Sequence, residues 1–156
     1  MAFSFGGEKV SKSVLMSIQP EYCQYIADGY KIAEVRKNFP KLETPFKVYI
    51  YCTNGKGYST DIKGYSPDIE KGKVIGEFLC EFIEKFPYSR NGYGIEAEDQ
   101  LCEEACLDGN ELYRYLNGAT PYAWYISDLV IYETPKELSK FGKTKPPQSW
   151  YYVNKE

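Results

Sequence analysis

Between two apolar runs, residues 13–18 and 46–53, the chain places a segment that opens at Pro20 and closes at Gly29. Directly after it comes Gly29-Tyr30-Lys31-Ile32-Ala33-Glu34-Val35-Arg36. The two runs read as strands, and Phe46, Val48, Ile50 and Cys52 share one face of the second. Pro20 suits the first helical position, where its missing N–H costs nothing and its φ is preset. Tyr22, Cys23, Ile26 and Ala27 make an inward stripe on that helix, and Gly29 fits the left-handed cap. The charged run then begins a second strand, residues 31–37, which ends before Pro40. In a regular strand Glu34 and Arg36 share a face and Lys31 points to the other. All three converge only if the chain bends just after Gly29 or carries a bulge.

The rest of the chain alternates strands with short helices. Residues 73–83 form the longest predicted strand, with Val74, Gly76, Phe78, Cys80 and Phe82 on an apolar face and Glu77 and Glu81 opposite. Residues 54–68, with Gly55, Gly57, Gly64, Tyr58, Tyr65 and Pro67, read as a mobile loop long enough to be a rim or lid. Tyr88 to Gly94 is a second glycine–tyrosine loop. Helices are predicted over 99–106 and 110–116, and a proline-started one over 135–141. One long or two short strands span 122–132, and the last covers 149–153. Five to seven strands with intervening helices fit a small α+β barrel. The length predicts a single domain over 13–156, preceded by a flexible segment over 1–12.

Composition narrows the function. The net charge is −3, split as +3 over residues 1–73 and −6 over 74–156. A protein that wraps long duplex DNA needs many phosphate contacts and is usually basic, so long duplex DNA is not the expected partner, whereas a small anionic ligand in a local basic pocket needs only two or three donors. No apolar run reaches the length that spans a bilayer, and the N-terminus lacks signal-peptide character. Five cysteines argue against a disulfide framework and for reduced thiols in a cytoplasmic protein. The absence of histidine removes the commonest general base and zinc ligand. Cys102 and Cys106, beside Leu101 and Ala105 on a helix, read as buried small apolar residues rather than metal ligands. No metal and no cofactor are expected.

The order strand, helix, G-x-K-x-x-E-x-R, strand resembles the ASCH family of the PUA-like superfamily, over residues 13–153. Ala123-Trp124-Tyr125-Ile126-Ser127-Asp128-Leu129 and Pro146-Pro147-Gln148-Ser149-Trp150 resemble its Firmicute and phage branch. The resemblance implies a small PUA-like mixed β-barrel with short flanking helices. It also implies a cleft for RNA or a nucleoside-like ligand and a regulatory or phage–host role. It places Lys31 at the bend, looking into the cleft, with Glu34 and Arg36 as an internal ion pair that shapes it. One branch hydrolyses the amide of N-acetylated cytidine with the Lys and Thr of a K-x-x-T run and a later Glu. Here the Thr position is Glu34, so that hydroxyl is missing.

Sixteen tyrosines supply rings for barrel walls and for ligands. The candidate ligand-binding set joins Ser17, Lys31, Glu34 and Arg36 to the aromatics Tyr49, Tyr51, Trp124, Tyr125 and Trp150, on which a base could stack. Gln148 and Ser149 add groups able to read a base edge. The expected function is RNA or nucleotide binding. The alternatives are a hydrolase on modified nucleosides or RNA, with Lys31 and Glu34 in acid–base roles, and a mobile-element inhibitor. The last would use the acidic segment 96–108 to engage a protein partner.

Overall fold

The computed structural model describes residues 11–55 and 69–154. Strand β1 (Lys12–Ile18) leads into helix α1 (Pro20–Ala27), then β2 (Ala33–Arg36), β3 (Phe46–Cys52) and β4 (Lys73–Lys85). Helices α2 (Glu98–Ala105) and α3 (Gly109–Leu116) precede the long β5 (Tyr122–Lys136), a 3-10 turn (Leu138–Phe141) and β6 (Trp150–Asn154). The predicted loop lies outside the described residues from 56 to 68, with Tyr58 and Tyr65, and so does most of the N-terminal segment. Lys12, assigned to that segment from sequence, instead opens β1 opposite Asn154. Among the described residues no helix is long and apolar enough to cross a membrane.

The six strands form one mixed sheet in the order β2-β5-β4-β3-β1-β6. β1 and β3 run parallel, Val14 opposite Val48 and Ile18 opposite Cys52, and the other neighbouring pairs are antiparallel. A parallel pair needs a crossover, and the segment carrying α1 and β2 supplies it. The sheet curls into a half-barrel. Its edge strands β2 and β6 share no backbone ladder among the described residues, so the predicted barrel is closed by side chains alone. Arg36 reaches the Ser149 hydroxyl at 3.1 Å. The indoles of Trp124 and Trp150 donate to the Asn38 carbonyl and side-chain oxygen at 3.2 and 2.8 Å. Pro40, Pro146 and Pro147 flank this seam, and none has an N–H to lend to a ladder.

Strand alternation distributes the core. Val14, Met16, Ile18, Val48, Ile50, Phe78 and Cys80 meet Cys23 and Ile26 of α1 inside the half-barrel, with Trp124 completely buried among them. Leu15, Tyr49, Tyr51 and Val74 face the other way, onto Phe141 and Val153. A third cluster seats α2 and α3 against β2 and β5 through Leu101, Ala105, Leu112 and Leu116.

Four expectations need correction. Phe82 is 51% exposed, because the β4–β5 register shifts between Cys80 and Ile83. The extra residue turns Phe82 out, where it stacks on Tyr125, and Ile83 in, against the interior core. Val74 is buried but on the opposite face from Phe78, owing to a second shift before Gly76. A Cβ at Gly76 would strike the Val130 carbonyl oxygen, so glycine is what lets β5 pass so close. The helix predicted over 135–141 is β5 up to Lys136 and then a single 3-10 turn. Cys102 and Cys106 are half-buried flank positions, since the inward residues of α2 are Leu101 and Ala105.

Candidate functional site

The chain leaves α1 through a sharp bend. Gly29 has φ +84°, and the N–H groups of Tyr30 and Lys31 both donate to the Tyr25 carbonyl. Lys31 therefore precedes β2 rather than standing in it, and its side chain turns inward with those of Glu34 and Arg36. The Lys31 ammonium lies 4.0 Å from Glu34 Oε2, and Arg36 Nη2 lies 3.5 Å from Glu34 Oε1. The bend thus brings the three charges together.

Each has further partners. The Lys31 ammonium donates to the carbonyl of Ala105, the last residue of α2, and sits 5.1 Å from the centre of the Tyr22 ring. A cation suits a helix C-terminus, whose last carbonyls lack intrahelical donors. Burial nevertheless lowers the Lys31 pKa, with Glu34 opposing the shift. Arg36 Nη2 donates to the Ser17 carbonyl at 2.8 Å. Ser17 Oγ donates to the Pro147 carbonyl at 2.7 Å. Arg36 therefore ties β2 to both β1 and the segment entering β6. Within this charged group two buried atoms have no hydrogen-bond partner, Glu34 Oε2 and Arg36 Nε.

These groups line a cavity of about 860 Å³ at the open end of the half-barrel. Ser17 and Ile18 of β1, Gln19, Gln148, and Thr53 beyond β3 contribute to it. Ten residues of the lining were missed from sequence, among them Tyr22, Glu111, Arg114 and Tyr115. The last three recur at helical spacing on one side of α3, a signal that marks a face without saying what the face covers. Tyr22 donates to Glu111 Oε2 at 2.6 Å, which ties α1 to α3 across the cavity. Burial first, and then this bond, raise the Tyr22 pKa. Glu111 also completes the capping box of α3 with Asp108.

The proposed aromatic set lies elsewhere. Tyr49 and Tyr51 are packed on the outer face with Phe141, because they alternate with Val48 and Ile50. Trp124 is a core residue, edge-on to Phe46 and Trp150. Trp150 belongs to the seam, and Tyr125 donates to Glu104 and Glu84 outside the half-barrel. Ser149 holds Arg36 from behind the cavity wall. In the acidic segment, Glu104 is engaged by Tyr125 and Gln100, whereas Glu96, Asp99, Glu103 and Asp108 are exposed. Among the described residues no group of three or more Cys, Asp or Glu is placed to hold a metal ion.

The half-barrel with helices over one end is a fold also found in a solved ASCH protein. The chain is similar in structure to ASCH from Zymomonas mobilis, with a TM-score of 0.66 at 21% identity over 90% of this chain and 86% of that one. A serine-to-alanine and a tyrosine-to-phenylalanine variant of that protein each give 0.64 at 20% identity, over 90% of this chain and 87% and 88% of theirs. Neither a protein-family model nor a curated protein matches the sequence. At such identity the likeness establishes the fold, and the site must be argued from its own residues.

Proposed function

We propose that the protein binds RNA or a nucleotide, with one nucleoside-like unit in the cavity lined by Lys31, Glu34 and Arg36. The observation that carries this reading is a buried carboxylate oxygen, Glu34 Oε2, ion-paired to Lys31 at 4.0 Å but without a hydrogen bond, together with a guanidinium N–H, Arg36 Nε, without an acceptor. Leaving such a group unsatisfied costs about 1–3 kcal/mol. A base edge offers a donor and an acceptor side by side, which matches both atoms. Lys31, Arg36 and Arg114 supply positive charge for a phosphate, and Tyr22 and Tyr115 supply rings. The volume lies in the range of small-molecule sites. The Firmicute and phage likeness of residues 123–129 and 146–150 supports a regulatory, phage–host setting.

Calorimetric titration with nucleosides, cyclic nucleotides and short RNAs tests the reading. Saturable heat is expected, and Lys31→Met should weaken it by about 1.5–3 kcal/mol, the worth of a hydrogen bond to a charged group. No heat with any of them in the wild type would sink the proposal.

One observation favours a second reading, a hydrolase on modified nucleosides. Lys31 is buried 4.0 Å from Glu34 with its pKa lowered by that burial, a setting in which a lysine can exchange protons with a substrate. Ser17 and Thr53 are the aliphatic hydroxyls among the residues lining the cavity. Incubation with N-acetylated cytidine, followed by mass, decides it, and unchanged substrate would count against turnover.

A further inference from the structure

Beside the cavity, the segment that follows β2 carries one exposed ring, Phe39, between two exposed cations, and exposed tyrosines of α3 and β6 stand by it. Phe39 is 51% exposed, Tyr115 39% and Tyr152 38%. Lys37 and Lys41 are exposed among them, and the Lys37 ammonium lies 4.9 Å from the centre of the Tyr115 ring. Tyr115 itself lines the cavity, so the surface begins at the cavity mouth.

This surface is held from beneath. Asn38 accepts from both indoles, and the Lys41 N–H donates to the Tyr152 hydroxyl at 2.8 Å. Tyr152 is fixed in turn edge-on to Trp150, at 5.4 Å between ring centres. Phe39 rests on Tyr122 at 4.9 Å. Two hydrogen bonds from indoles and one to a tyrosine hydroxyl thus hold Asn38 and Lys41 while leaving Phe39, between them, open to solvent. An apolar ring kept in water on a held backbone, flanked by two lysines and by the rings of Tyr115 and Tyr152, offers a surface on which an unpaired base can stack.

We infer that residues 37–41, with Tyr115 and Tyr152, form a track for single-stranded nucleic acid leading out of the cavity, so that the ligand is an oligonucleotide rather than a mononucleotide. This rests on the nucleotide-binding reading of the cavity and extends it. The charge complementarity is to phosphate, and the rings would meet unpaired bases. A duplex, whose base faces are stacked away, gains nothing from Phe39.

The test compares the four homohexamers of RNA with the four nucleoside 5′-monophosphates, by anisotropy and calorimetry, on wild type, Phe39→Ala, Phe39→Trp, Lys37→Met and Lys31→Met. The hexamer should bind more tightly than its mononucleotide, by about 5- to 150-fold for each base that stacks outside the cavity. Phe39→Ala should remove one such factor and leave the mononucleotide affinity unchanged, and Phe39→Trp should keep the hexamer affinity. Lys37→Met should reduce the slope of log K against log salt for the hexamer by about 0.7, one single-strand phosphate contact. Equal affinities for hexamer and mononucleotide, with Phe39→Ala silent, would overturn the track and leave the cavity reading standing. Hexamer binding that depends on Phe39 but not on Lys31, with no mononucleotide affinity, would support the track and sink the cavity reading. Duplex RNA bound as tightly as the single strand, or no binding of any probe, would overturn the track.

Discussion

Arg36→Met is expected to loosen the half-barrel at its seam. Arg36 is 8% exposed, and its guanidinium donates to the Ser17 carbonyl at 2.8 Å and the Ser149 hydroxyl at 3.1 Å while pairing with Glu34 at 3.5 Å. Methionine fills much of the stem and keeps none of these bonds. Two hydrogen bonds to a charged group are worth about 1.5–3 kcal/mol each, and removing one partner of a buried ion pair costs about 3–5 kcal/mol. These figures overlap, because both count the desolvation of the same groups. Glu34 also retains Lys31 at 4.0 Å, and the cavity admits water. The low end is therefore expected, about 3 kcal/mol. For a chain of this size that lowers the thermal midpoint by about 6–12 °C. Calorimetric melting of wild type, Arg36→Met, Glu34→Gln and the double variant measures it. Glu34→Gln removes the stranded charge, so Arg36→Met should cost less in that background by about 0.5–3 kcal/mol. A midpoint shift under about 2 °C, or strict additivity in the cycle, would refute the role of Arg36 as the clasp between β1, β2 and the entry to β6.

Three further outcomes follow from the same geometry. Lys31 has a lowered pKa in the fold, so the unfolded chain binds its proton more tightly and this residue's contribution to stability rises with pH. The melting midpoint of wild type minus that of Lys31→Met should therefore increase from neutral pH toward about 10.4; a flat or falling difference would contradict the burial of a strained ammonium. Phe78→Ala should cost about 3–5 kcal/mol, the price of emptying a core site. Phe82→Ala should lose only the stack on Tyr125, about 0.5–1.5 kcal/mol; denaturant melts giving equal losses would put the β4 bulge in the wrong place. Burial pushes the Cys80 thiol up to about 12 and raises Cys23 as well, and Cys52 is also inaccessible. Iodoacetamide at about pH 8 should then label the half-exposed Cys102 and Cys106 first, with the other three reacting only after denaturation, as read by peptide mass mapping.

Local physics made part of this molecule legible from the chain alone. Pro20 and Gly29 bracket α1 because each satisfies a constraint of a helix end that no neighbour can alter. Val48 and Ile50 fall inside the half-barrel, and Tyr49 and Tyr51 outside, because strand side chains alternate whatever lies around them. The convergence of Lys31 with Glu34 and Arg36 required a bend after Gly29, and the bend is there. What periodicity does not carry is the identity of the layer that covers each face. Tyr49 and Tyr51 alternate as a ligand wall would, yet Phe141 covers them. Tyr22 reads as a core position, yet it lines the cavity, because Glu111, 89 residues away in sequence, draws its hydroxyl across. The inversion at Phe82 comes from a register shift set by the fit of β4 against β5, not by any residue of β4 alone. Family resemblance places Arg36 in an internal pair with Glu34, but its bonds to Ser17 and Ser149 exist only once the sheet curls and brings them to it. Backbone preference acts over a few residues and can be read there. Closure of a sheet, and with it the site at its open end, depends on contacts between distant segments that form only when the whole chain packs.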